Sequence, residues 1–165
     1  MLCVLGVAAV LEMAAAPAPA AGAQRKALIK KLGPFDRQAV RRALDVAVAM
    51  LGSPRCRQVY SEFELPDGRT PQDELDRKGI GPREFLETLV FTDGSREPVC
   101  GLGAAALTTR PSSGLILVCP LFVRQATRPP RSAIFIIHES LHALGLGENP
   151  PSSDEIPRRV EHRCW

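Results

Sequence analysis

"AIFIIHESLHALGLG", Ala133 to Gly147, is the stretch from which the rest of the chain can be organised. It is a long apolar run in which Leu, Ala and Glu favour helix from Glu139 onward, and Gly145 and Gly147 supply a C-terminal stop, so it predicts a mostly buried helix. The chain has three His, and two of them, His138 and His142, stand here four residues apart, with Glu139 directly after the first. On a helix, residues i and i+4 project from one face. His138 and His142 can therefore present two imidazole nitrogens to one Zn²⁺, at about 2.0–2.1 Å. Glu139 is offset by one position, near the ion without being one of its ligands. From there a carboxylate can take a proton from water that the metal has acidified. Apart from these three, every position from Phe135 to Leu144 is uncharged. An ionisable group buried in such a helix is costly without a partner, and a metal in a cleft accounts for it.

This HExxH pattern resembles the zincin metallopeptidases and, over Phe135–Glu148, more closely their metzincin branch. In that branch a Gly follows the second His after two residues and a third ligand comes three positions later. Here those places hold Gly145 and Glu148. Most metzincins have His at the last of them, but the snapalysin type uses an acidic residue. The resemblance thus implies His138, His142 and Glu148 as ligands, Glu139 as general base, Zn²⁺ as cofactor and a peptide or protein as substrate. The chain departs from the metzincin pattern in having no Met-turn, since its Met residues are 1, 13 and 50. Glu161, nineteen residues beyond His142, has the spacing of gluzincins, which carry their Glu on a later helix, and is the alternative third ligand. Glu148 is preferred because it needs only the local turn that Gly145 and Gly147 provide. His162 reads as an exposed residue near a helix end. No residue declares itself as the oxyanion partner, and Tyr60, the only Tyr, reads as core packing.

The remainder fits one domain, residues 24–165. Residues 1–23 resemble a cleaved secretory signal peptide, with an apolar run from Leu2 to Leu11 and an A-x-A site at Ala21-Gly22-Ala23. No Lys or Arg precedes that run and Glu12 follows it, so the true start is expected upstream. Removing the segment leaves the domain one charge more positive than the formal +3 of the chain, with the charges interspersed. There is no basic stripe with interleaved aromatics, so no nucleic-acid partner is expected. Nor is a transmembrane helix, and the domain is expected to be a monomer that does not insert stably into membranes. Cys56, Cys100, Cys119 and Cys164 remain after cleavage, an even number that suggests two disulfides and a secreted or periplasmic protein. Four cysteines allow three pairings. The expected one is Cys100–Cys119 across a hairpin, with Cys56–Cys164 tying the last helix to the first half. A thiolate zinc site is disfavoured, because no C-x-x-C pair exists among the four.

The predicted fold is α+β, a compact zincin-like domain in which a small antiparallel sheet packs on the HExxH helix, with several further helices. Apolar spacing through Val40, Leu44, Ala47 and Leu51 marks an amphipathic helix ended by Gly52. "PRCRQVYSEF", "PQDELDRKG" and "PREFLETL" read as shorter ones. "AAALTT" and "GLILVC" flank the turn residues "RPSSG" and predict a β-hairpin whose second strand lines the cleft. "NPP" reads as extended, and Ser153 as the cap of a final helix through "RRVEHRCW". The competing functional reading is an exported, disulfide-stapled binding domain, holding zinc without turnover or free of metal.

Overall fold

The computed structural model describes residues 27–109, 113–126 and 128–165. The signal-like segment and the centre of the hairpin turn, Arg110–Ser112, lie outside them. Four strands form one sheet in the order β1-β2-β4-β3: β1 (Leu28–Lys30), β2 (Val90–Asp93), β3 (Ala106–Thr108) and β4 (Leu115–Val118). β1 and β2 run parallel, with Ile29 opposite Phe91, and β2 and β4 run parallel, with Phe91 opposite Ile116. Only β3 is antiparallel, Leu107 facing Leu117 on β4. The predicted hairpin is therefore present, but the predicted antiparallel sheet is corrected to a mainly parallel one. The physical reason is the connection. Between β1 and β2 the chain makes a long helical excursion that returns it in the same direction, and parallel partners require such a crossover.

That excursion holds α1 (Pro34–Met50), α2 (Pro54–Arg57) with the 3-10 turn Gln58–Ser61, α3 (Pro71–Lys78) and α4 (Pro82–Thr88). Each helix begins with Pro, whose fixed φ and missing N–H suit the first turn. Thr70 and Asp73 close a reciprocal capping box on α3, worth about 1 kcal/mol. Two short helices follow, α5 (Pro98–Gly101) and α6 (Pro120–Gln125), and then α7 (Pro129–Ala143) and α8 (Glu155–Cys164).

α7 is the axis of the fold. Ile136, Ile137, Leu141 and Leu144 are essentially inaccessible, and Ser132, His138, Glu139 and Ser140 are buried with them. Each large aliphatic side chain contributes about 1.5–3 kcal/mol by leaving water. α1 packs along α7 through the buried stripe Ala39, Val40, Ala43, Leu44 and Ala47, where small residues allow close approach. Behind α7, the Tyr60 hydroxyl donates to Ser140 Oγ at 2.6 Å, and Ser140 in turn donates to the Ile137 carbonyl, also at 2.6 Å. Burial pushes the phenol well above its ordinary range, with the Ser140 bond pulling weakly the other way, so this donor stays protonated. Tyr60→Phe should cost about 1 kcal/mol in urea unfolding and leave metal content unchanged. A loss of metal would place Tyr60 in the site rather than behind it.

Two disulfides, Cys56–Cys164 and Cys100–Cys119, have the expected pairing. They point to an oxidising setting, extracellular or periplasmic. Among the described residues no helix is long and apolar enough to cross a membrane. The N-cap of the final helix is Asp154 rather than Ser153, and Ser152 Oγ, just before it, accepts the Glu155 N–H at 3.2 Å. The "NPP" segment is a turn rather than extended, Asn149 N–H donating to the Pro151 carbonyl at 2.7 Å with Asn149 at φ 62°.

Candidate metal centre

The site is assembled by the end of α7 and the turn that follows it. Gly145, at φ 111°, reverses the chain. The Gly145 N–H then reaches the His142 carbonyl at 2.9 Å and the Leu146 N–H the Leu141 carbonyl at 3.1 Å. This pair of bonds is a Schellman motif, which satisfies two terminal carbonyls of the helix and requires a left-handed residue between them. The reversal has two further effects. The Leu146 carbonyl turns back to accept from His142 Nδ1 at 2.8 Å, and Glu148 is returned over the two imidazoles. Gly145→Ala should therefore cost about 1–2 kcal/mol from its strained φ and weaken metal binding. Isothermal titration with Zn²⁺ of the refolded variant reads the second effect.

His138 Nε2 and His142 Nε2 lie 2.8 Å apart, and Glu148 Oε1 is 3.4 Å from His142 Nε2 and 3.9 Å from His138 Nε2. His138, His142 and Glu148 thus form a group that could hold a metal ion. Ligands on one tetrahedral Zn²⁺, at about 2.0–2.1 Å each, are about 3.4 Å from one another, and the three separations bracket that value. The proton pattern also fits. Because His142 Nδ1–H is committed to Leu146, its Nε2 carries the lone pair, the arrangement in which a backbone carbonyl orients a metal-ligating imidazole. Burial, with the neighbouring His142 adding to it, pushes His138 down to about 3, so its ring is neutral at ordinary pH. His138 Nδ1 is buried without a hydrogen-bond partner. The two imidazoles are held apart from solvent yet face each other, an arrangement that a shared cation stabilises.

Glu139 sits beside this group in the same cleft and is not one of its three members. Thr108, the last residue of β3, has its hydroxyl 2.8 Å from Glu139 Oε2 and 3.0 Å from the Glu139 carbonyl, and donates to this pair of oxygens. Burial raises the Glu139 carboxyl above its ordinary value, opposed first by the Thr108 bond and then by His142. A carboxylate that burial makes hold its proton more firmly is a stronger base toward water. His138, His142, Glu139, Glu148 and Thr108 all line one cleft of about 600 Å³, which Val99 and Gly103–Ala106 also border.

Glu161 is not brought to this cleft. It is exposed on α8 and lines an adjoining groove. His162 is exposed. Tyr60 is buried behind α7 and is not in the lining. "GLILVC" does not border the cleft as expected, because β4 is paired on both sides; the strand at the rim is β3. Two functional groups escaped sequence reasoning: Thr108, whose meeting with Glu139 depends on a strand thirty-one residues away, and the Leu146 carbonyl, which the Gly145 stop signal could have suggested. No family model, curated protein or solved structure matches this chain. The functional reading accordingly stands on the chain's own residues.

Proposed function

We propose that this protein is a secreted zinc-dependent metallopeptidase of the zincin type, cleaved after Ala23 and hydrolysing peptide bonds with Glu139 as general base. The observation that carries this reading is the meeting of His138, His142 and Glu148 in one cleft with a buried, separately held carboxylate. Zn²⁺ bound by those three would supply Lewis acidity, acidifying water and polarising a carbonyl. The protein's own parts in the reaction are then distinct. His142 is oriented by Leu146, and Glu148 supplies a negative charge that favours a divalent cation. Glu139 takes the proton of the attacking water and passes it to the leaving amine, while the Thr108 hydroxyl fixes the carboxylate's direction. β3 has one paired edge, to β4, and among the described residues its other edge has no strand partner, so an extended peptide can add there by main-chain hydrogen bonds.

The test is metal analysis of the mature protein together with a peptide-hydrolysis assay. Zinc near one per chain, activity abolished by a chelator and restored by Zn²⁺, is the expected result. Zinc without hydrolysis would make this a zinc-binding domain without turnover. No zinc after supplementation would leave a disulfide-stapled binding domain.

A further inference from the structure

A second groove, of about 620 Å³, adjoins the metal cleft and shares Phe135, Ser153 and Asp154 with it. It lies toward the N-terminus of α7, and its wall carries Arg128 and Arg131 from that end of α7 and Arg158 and Trp165 from α8. Arg131 is seven residues before His138, two helical turns, so it stands on the same face as the metal ligands with Phe135 between them. One continuous stripe of a single helix therefore runs from guanidinium, across an aromatic ring, to the imidazoles.

We propose that this groove binds an acidic side chain of the peptide substrate, so that the enzyme favours Asp or Glu a few residues from the scissile bond. The inference rests on the peptidase reading for the nature of the reaction, but the groove is argued from its own charges. Arg128 and Arg131 are exposed, and among the described residues neither pairs with an acid. Arg158 lines the groove and spends its Nε on the Asp154 carbonyl at 3.1 Å, while its terminal nitrogens make no ion pair with an acid among the described residues. Asp154 and Glu161 are the acids in the lining, so arginines outnumber acids there. A guanidinium binds a carboxylate in a two-pronged, planar geometry, which makes an arginine-rich wall selective for acidic over amide side chains. Spacing sets the position. Seven helical residues rise about 10 Å, the length of about three residues of extended chain. A peptide centred at the metal thus brings a side chain about three residues away level with Arg131, and one about four to five residues away level with Arg128.

Trp165 is the chain's only Trp, 71% exposed in this groove, and reports on occupancy directly. The experiment titrates zinc-loaded Glu139→Gln protein, following Trp fluorescence, with short peptides that differ only in Glu against Gln about three to five residues from the centre. Hydrolysis of the same peptides by the zinc-loaded parent protein is measured alongside. The Glu peptides should bind about three- to ten-fold more tightly at low ionic strength, with the difference fading in high salt. In the Arg128→Gln/Arg131→Gln variant the Glu-to-Gln ratio should fall to about one. Equal affinities, a preference that survives in that variant, or no saturable response to either peptide overturns the inference. The two readings separate cleanly. Hydrolysis of both peptides with equal efficiency would remove the acidic preference and leave the peptidase. A salt-sensitive preference in binding without hydrolysis would do the reverse.

Discussion

Glu139→Gln should lower kcat/KM for peptide hydrolysis by about 10²–10⁴-fold while zinc content stays near one per chain. The amide is nearly isosteric and its carbonyl oxygen can still accept from the Thr108 hydroxyl, 2.8 Å away in the parent protein. What disappears is the ability to hold a proton. The same substitution should make the metal-free protein more stable at neutral pH, by about 1–2 kcal/mol, because it removes a carboxyl whose charged form burial disfavours. The sign of the pH dependence follows from the direction of the shift. Burial raises the folded-state carboxyl above the ordinary value of 4.5, so the folded state holds the proton more firmly than the unfolded chain does. The contribution of Glu139 to stability is complete below that ordinary value and is lost as pH rises through the folded-state one. The advantage of the Gln variant should therefore be small at acid pH and grow above it. Urea unfolding of both metal-free proteins at pH 4 and pH 7.5 measures this. A parent protein that is the more stable of the two at pH 7.5, or a variant that still hydrolyses peptides, would remove Glu139 from the role assigned to it.

Loss of Cys56–Cys164 is the other large effect. That bridge joins residues 108 apart in sequence, and Cys100–Cys119 joins residues 19 apart. By the chain-entropy argument the first is worth about 4–5 kcal/mol and the second about 3 kcal/mol. A domain of this size has about 5–15 kcal/mol in all, so Cys56→Ser/Cys164→Ser takes a large fraction of it. The double variant should unfold at much lower urea concentration than Cys100→Ser/Cys119→Ser. The reverse order would show that native packing of α8, and not closure of the long loop, carries the stabilisation. α8 has packing of its own, since Ile156 and Val160 are fully buried and Arg163 and Arg159 pair with Glu62.

What was legible in the sequence is what is local. α7 announced itself by its apolar run and its Gly stop, α1 by the spacing of Val40, Leu44 and Ala47, and the β3–β4 hairpin by its turn residues. The position of Glu148 followed from Gly145 for the same reason, because a Schellman turn is determined by a handful of adjacent residues. β1 and β2 were not foreseen. They are three and four residues long, too short for an alternating pattern to register, and "VFTD" continues directly from a helix. Their pairing spans a crossover of four helices, so nothing in either segment marks the other. Hence the sheet was expected to be antiparallel, since its one local pairing is. Thr108 illustrates the same limit within the site. A Thr at the end of a strand is unremarkable until folding sets it against the carboxylate of another element.

The two disulfides lie by different cavities. Cys100 follows Val99 in the segment beside the metal cleft, and Cys164 is next to Trp165, which lines the adjoining groove. His138 and His142 ride on a helix that contains no cysteine and is held by hydrophobic burial and by the Tyr60–Ser140 and Thr108–Glu139 hydrogen bonds. Chemical reduction of both bridges should therefore be felt well beyond the cysteines. By the same chain-entropy argument it removes about 7–8 kcal/mol, a large share of what holds a domain of this size together. On the reading proposed above, a site carried by such a fold would hold its shape only where those sulfurs stay oxidised.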